Sequence, residues 1–104
     1  MTRNVLAATL ASGAVFALSA LAQGADPNLG RNLAAACANC HGTNGMSVQG
    51  MPNLAGQQRT YLVQQMQDFK TGKRPATVMH QLAKGYTDEQ IEVLAAYFAA
   101  QKAR

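Results

Sequence analysis

Apolar residues change their spacing several times along this chain, and each change marks an element. Val5 to Leu21 is an almost unbroken apolar run rich in alanine and leucine. Further on, Asp26 before Pro27 reads as a helix start, an acidic N-cap followed by proline at the first helical position. The first helix is predicted over Pro27 to Cys40, with Gly30, Leu33 and Cys37 sharing a face. A glycine there either costs about 1 kcal/mol or lets another helix approach closely; close approach is the preferred reading. From Gly42 to Gly56 the turn formers Gly42, Asn44, Gly45, Gly50, Pro52, Asn53 and Gly56 predict a loop, long for so small a domain. A second helix follows over roughly Gln58 to Lys70, with Tyr61, Leu62, Gln65, Met66 and Phe69 on one stripe. Thr71, Gly72 and Pro75 break that pattern. A short turn or helix from Val78 to Ala83 precedes Gly85 and Tyr86. Thr87-Asp88-Glu89-Gln90 has the form of a capping box, with Thr87 as N-cap. The last helix runs to about Gln101 and carries Ile91, Leu94, Ala95 and Phe98 on one face. With no strand pattern, repeat or linker, the fold class is all-α.

The ends change this picture. Arg3 stands before the apolar run, and Ala20-Leu21-Ala22 closes it with small residues where a signal peptidase requires them. This predicts a secretory signal peptide over residues 1–22, cut before Gln23, or alternatively before Ala25. An uncleaved anchor is the competing reading, since the run is near the lower length for spanning a bilayer. Residues 23–104 then form one small domain without a membrane span. Eight Lys and Arg stand there against five Asp and Glu, a formal charge of +3. There is no dense basic run and no aromatic interleaving, which sets nucleic-acid binding aside. A domain this small usually needs a staple or a cofactor to be stable.

Cys37-Ala38-Asn39-Cys40-His41 supplies one. The only two cysteines of the chain lie three positions apart with a histidine directly behind, the attachment signature of a c-type haem. Each thiol adds across one vinyl group of the porphyrin, and His41 serves as proximal iron ligand. A redox dithiol would need no histidine and would normally follow a strand. Zinc would need four ligands, and the only further histidine is His80. A disulfide across two intervening residues would be strained and would close almost no loop. One covalent haem c is the reading, and attachment of c-type haem outside the bacterial inner membrane places the protein in the periplasm. A proximal histidine normally donates its second ring N–H to a carbonyl. Pro52 is the candidate for that carbonyl, because proline fixes a turn and leaves its C=O free.

For the distal ligand the domain offers Met46, Met51, Met66, Met79 and His80. Met46 and Met51 belong to the loop expected on the proximal side. Met66 falls on a helical stripe, where methionine is usually core filler. Met79 lies 38 residues beyond His41, far enough for the chain to pass round the ring and return on its opposite face. His80 reads as an exposed neighbour. Met79 is therefore the predicted sixth ligand. Methionine–histidine ligation raises the potential relative to two histidines and suits an electron carrier.

These residues resemble a family. Cys37-Ala38-Asn39-Cys40-His41-Gly42, Pro52-Asn53-Leu54-Ala55-Gly56-Gln57, Tyr61-Leu62 and Leu94-Ala95-Ala96-Tyr97-Phe98 are similar to class I c-type cytochromes, especially the cytochrome c4 and c553 group. The resemblance implies the class I cytochrome c fold, with Gly30 and Leu33 packed against the last helix near Tyr97. It also implies support of His41 by the Pro52 carbonyl, and a methionine ligand at the position of Met79, eight residues before Thr87. A narrower similarity lies in Ala76-Thr77-Val78-Met79 and Leu82-Ala83-Lys84-Gly85-Tyr86. It looks like the cytochrome subunit of flavocytochrome c sulfide dehydrogenase. That implies a flavoprotein subunit carrying FAD as electron donor, a soluble acceptor such as another cytochrome, and sulfide chemistry on the partner rather than on this chain. The second expectation is a freely diffusing single-haem carrier to a reductase or terminal oxidase. Some members of the narrower group have two haem domains, whereas this chain has one attachment motif.

Overall fold

The computed structural model describes residues 26–48 and 50–103; the leader and cleavage point expected at the N-terminus lie outside the described residues. Every regular element among the described residues is helical. Helix α1 (Leu29–Ala34) passes through a 3₁₀ turn (Ala35–Cys37) into α2 (Ala38–His41). A second 3₁₀ turn (Thr43–Gly45) follows, then α3 (Arg59–Thr71), α4 (Met79–Lys84) and α5 (Asp88–Ala99).

The single helix expected over Pro27 to Cys40 is thus three shorter pieces, for local reasons. At its start the Asp26 carboxylate accepts the Asn28 amide at 2.8 Å. Its carbonyl accepts the Leu29 amide at 3.2 Å. That turn uses Asp26 as a cap for its neighbours and delays the helix to Leu29. After Ala34 the chain tightens to the three-residue winding of a 3₁₀ turn, which leaves Cys37 half-buried against the core. Helix α3 begins one residue later than expected, behind an extended Gln58, and ends on Gly72 at φ +81°. Helix α5 has the expected capping box. Thr87 Oγ1 accepts the Gln90 amide at 3.1 Å and the Gln90 side chain accepts the Thr87 amide at 2.9 Å. It ends at Ala99, short of Gln101.

The core sits where α5 packs against α1 and α3, while α4 packs against α3. Ile91, Leu94, Ala95 and Phe98, all buried, realise the predicted stripe of α5. Burying one such large side chain stabilises the fold by about 1.5–3 kcal/mol. Ala34, Leu62, Leu94, Ala95 and Phe98 form one cluster, with Leu33, Cys37, Leu54, Tyr86 and Tyr97 against it. Gly30 makes the α1–α5 contact close: a Cβ there would lie 3.1 Å from that of Tyr97.

The long loop is tied to this core at both ends. The Gly45 carbonyl accepts the Leu54 amide at 2.9 Å and the Ala55 amide at 3.2 Å. Gly45 itself has φ +79°, and a Cβ on it would meet Phe98 at 2.8 Å. Farther along, the Gly56 amide donates to the Phe98 carbonyl at 2.9 Å. The Tyr97 hydroxyl donates to Asn44 Oδ1 at 2.6 Å. The loop is held on α5, so its inner limb becomes a fixed wall.

Candidate cofactor site

That wall closes one side of a cavity of about 510 Å³, within the range of about 300–1,000 Å³ usual for small-molecule and cofactor sites. Its lining draws on most of the fold. Cys37, Cys40 and His41 come from the first segment and Met51, Pro52, Asn53 and Leu54 from the loop. The stripe of α3 supplies Tyr61, Leu62, Gln65, Met66 and Phe69; Met79 and Leu82 come from α4, and Leu94, Ala95 and Phe98 from α5. The α3 stripe that reads as core from the sequence therefore faces this cavity, and of its members only Leu62 is buried by protein. Tyr61, Val78 and Leu82 each keep about half of their surface uncovered, at 50%, 51% and 54%. All three line the cavity. The chain wraps apolar groups around a broad space instead of packing them on one another.

Cys37 closes the 3₁₀ turn, and Cys40 and His41 belong to α2, so the turn and the helix together bring all three to the cavity. The two cysteines are not bonded to each other. Burial pushes the Cys37 thiol up from its ordinary range, against a backbone hydrogen bond that acts the other way. A raised Tyr86 hydroxyl follows first from burial and then from the negative charge its neighbour Cys37 would carry as thiolate. Once that sulfur is a thioether the second cause vanishes.

His41 Nδ1 lies 2.7 Å from the Pro52 carbonyl oxygen. A carbonyl only accepts, so the proton is on Nδ1 and Nε2 keeps its lone pair for a metal. Asn53, seen in the sequence only as a turn former, fixes the loop around that carbonyl. Its Oδ1 accepts the Ser47 amide at 3.3 Å and its Nδ2 donates to the Ala55 carbonyl at 3.1 Å. The Gln57 side chain donates to the Asn53 carbonyl at 3.3 Å. An Asx residue directly after proline, inside a glycine-rich stretch, was the available signal.

Met79 is the first residue of α4 and lines the same cavity as His41. Met51 and Met66 line it as well, so Met66 is not the plain core filler expected; its stripe faces the cavity. Met46 is 39% exposed and lies outside the lining. His80 corrects another expectation. It is half-buried, not exposed, and its Nδ1 is enclosed without a hydrogen-bond partner among the described residues. It is also not part of the lining, because one residue along a helix turns a side chain about 100° away from Met79. Among the described residues no three His, Cys, Asp or Glu side chains are grouped to hold a metal ion.

The sequence pattern of the cytochrome c family matches residues 28–102. The chain belongs to the cytochrome c family. Its fold is that of a class I cytochrome c, and its cofactor is haem c bound covalently through the Cys-x-x-Cys pair. It is 45% identical over 69 residues to the cytochrome subunit of sulfide dehydrogenase of Chlorobaculum tepidum, covering 66% of this chain and 63% of that protein. It is 44% identical over 87 residues to cytochrome c4 of Pseudomonas aeruginosa, covering 82% of this chain and 43% of that protein. A solved structure of Acidithiobacillus ferrooxidans cytochrome c4 superposes with a TM-score of 0.60 at 42% identity, over 62% of this chain and 38% of that one. This cytochrome thus spans less than two thirds of the length of each of them. Haem fits the residues present: an apolar slot, two thiols at attachment spacing, an imidazole with its lone pair free and a thioether share one cavity. No helix among the described residues is long and apolar enough to cross a membrane. As a cytochrome c, the chain transfers electrons.

Proposed function

We propose that this cytochrome is the haem subunit of a flavocytochrome c sulfide dehydrogenase, working in the periplasm once residues 1–22 are removed. It takes electrons from an FAD-containing flavoprotein subunit and passes them to a soluble acceptor such as another cytochrome. The observation that carries the electron-transfer role is the meeting of Cys37, Cys40, His41 and Met79 on one apolar cavity. When bound, haem c supplies a one-electron couple at its iron. The chain's residues set the conditions for that couple. Cys37 and Cys40 would hold the group covalently, His41 would bind the iron through Nε2 while Pro52 holds its other ring nitrogen, and Met79 would offer its thioether sulfur to the iron. A chain that gives the iron two protein ligands would leave no place on it for oxygen or a substrate. Leu54, Leu82, Leu94 and Phe98 exclude water around the group and so limit the reorganisation that electron transfer demands. Sulfide oxidation belongs to the partner, because both cysteines of this chain are used in attachment.

The subunit role rests on the Ala76–Tyr86 segment and on the 45% identity to a sulfide dehydrogenase cytochrome subunit. The 44% identity to a cytochrome c4 supports the second reading, a diffusing carrier to a reductase or terminal oxidase. Gentle purification from the native periplasm separates them. A stoichiometric flavin band together with haem absorption, and haem reduction on adding sulfide, is the outcome expected of the subunit. Haem alone in a monomer indifferent to sulfide leaves the carrier.

A further inference from the structure

Asn44-Gly45 lies outside the cavity lining, and its chemistry is not used by the haem site. An asparagine deamidates when the backbone nitrogen of the next residue attacks its side-chain carbonyl carbon. Glycine in that position has no side chain to hinder the attack. The other asparagines of the chain, Asn4, Asn28, Asn32, Asn39 and Asn53, each precede valine, leucine or cysteine. Sequence alone therefore makes Asn44 the most labile of them.

The fold opposes that lability in several ways. Asn44 stands at φ 56° and ψ 23°, a left-handed conformation that asparagine tolerates. This ψ turns the Gly45 nitrogen to the far side of the Cα–C bond from the Asn44 Cβ, whereas ring closure needs the two on the same side. The Gly45 N–H donates to the Gly42 carbonyl at 3.0 Å, so its proton is held. The carboxamide is held as well, because Asn44 Oδ1 accepts the Tyr97 hydroxyl at 2.6 Å. Gly45 has no room to swing. It is buried, and a Cβ on it would lie 2.8 Å from the Phe98 ring and 2.9 Å from Leu54 Cβ.

We infer that Asn44 is a deamidation site that the folded domain holds shut, and that it converts only when this turn opens. The Gly45 nitrogen gives its proton to solvent and forms a bond to Asn44 Cγ. The Cγ–Nδ2 bond then breaks, and the nitrogen leaves as ammonia with a proton taken from water. Water adds to one of the two carbonyls of the resulting cyclic imide. Breaking one C–N bond gives aspartate, breaking the other gives isoaspartate, and nothing is oxidised or reduced. Isoaspartate places an extra carbon in the main chain directly before Gly45, whose carbonyl accepts the Leu54 and Ala55 amides. The lesion thus falls where the loop carrying Pro52 is seated.

Peptide mapping by mass spectrometry, with isoaspartate counted by enzymatic methylation, tests this on the haem-loaded protein at mildly alkaline pH. Conversion at a protected site follows the population of the open form. Wild type in native buffer is expected to convert at Asn44 about tenfold or more slowly than the same protein unfolded in guanidinium, since tenfold needs an opening cost of only about 1.4 kcal/mol. Tyr97 lies outside the cavity lining, and Tyr97→Phe is expected to keep the wild-type absorption spectrum. In native buffer it should convert about fivefold faster than wild type, the effect of one ordinary hydrogen bond on opening. Equal rates for folded and unfolded wild type overturn the inference. So do equal native rates for Tyr97→Phe and wild type, or earlier conversion of Asn39 or Asn53 in the unfolded chain. Should Tyr97→Phe fail to fold around haem, hydrogen exchange of the Gly45 amide in wild type decides. Its exchange must be slowed to the same degree as the conversion, and an unprotected Gly45 amide overturns the inference.

Discussion

Position 30 shows how a single side chain limits this fold. A Cβ on Gly30 would lie 3.1 Å from Tyr97 Cβ, so anything larger than alanine has to push α1 away from α5. Gly30→Leu is expected to lower stability by about 1–3 kcal/mol, the usual range for overpacking, measured as a shift in the urea midpoint with the slope unchanged. Such close approach could be read from the sequence only as one of two options. Cys37, Cys40 and His41 were legible because covalent attachment demands a fixed spacing along the chain. Pro52 was legible because a carbonyl for His41 had to come from the following loop. The role of Asn53 was not, since it depends on how the loop folds back on itself to set that side chain between Ser47 and Ala55. His80 was misjudged for the same reason: α4 turns it inward against the protein while Met79 faces the cavity.

At the scale of elements, the start of α5 combines two independent devices. Thr87 and Gln90 form the capping box, and Asp88 accepts the Gln67 side chain at 2.9 Å and Lys70 at 3.3 Å from α3. Lys70 also donates to the Tyr86 carbonyl at 2.7 Å, so this cluster pins the turn before α5. Thr87→Ala is expected to cost about 1 kcal/mol through the lost cap, read from thermal unfolding. Hydrogen bonds from Gln67 and then Lys70, with the attraction of the Lys70 charge, hold the Asp88 carboxyl below its ordinary value. A carboxyl lowered on folding contributes stability that is whole above its unfolded value and is lost as pH falls through the folded one. Asp88→Asn is therefore expected to weaken the protein at neutral pH, with the difference from wild type starting to close only as pH falls below about 4 and vanishing below the lowered folded value. Equal differences at every pH would contradict that. The capping box was visible in the sequence because all its atoms lie within four residues. The break of the first helix at Ala35 was not: the sequence there is alanine-rich and favours helix, yet the chain tightens into a 3₁₀ turn that ends on Cys37 at the cavity.

For the whole molecule, the apolar pattern was read correctly as helices but not fully as to what they cover. The stripe of α3 has the periodicity of a core face, and periodicity alone cannot distinguish a protein core from a cofactor wall. The domain is consequently organised around its haem site, and attachment and stability are linked. Replacing both Cys37 and Cys40 by serine is expected to give a chain with weaker, less cooperative unfolding by circular dichroism, because half-covered groups such as Tyr61, Val78 and Leu82 lose the surface that completes them. A small domain has little other core to compensate.

The most direct test of the central claim, that His41 and Met79 close the two axial positions of one covalent haem, is the visible absorption spectrum of the oxidised protein beside that of Met79→Ala. The account predicts a sulfur-to-iron charge-transfer band at the red end of the wild-type spectrum and its loss in Met79→Ala, with the haem still attached. A wild-type protein that lacks the band, or a Met79→Ala protein that keeps it, would contradict the account and return the distal position to Met51 or Met66.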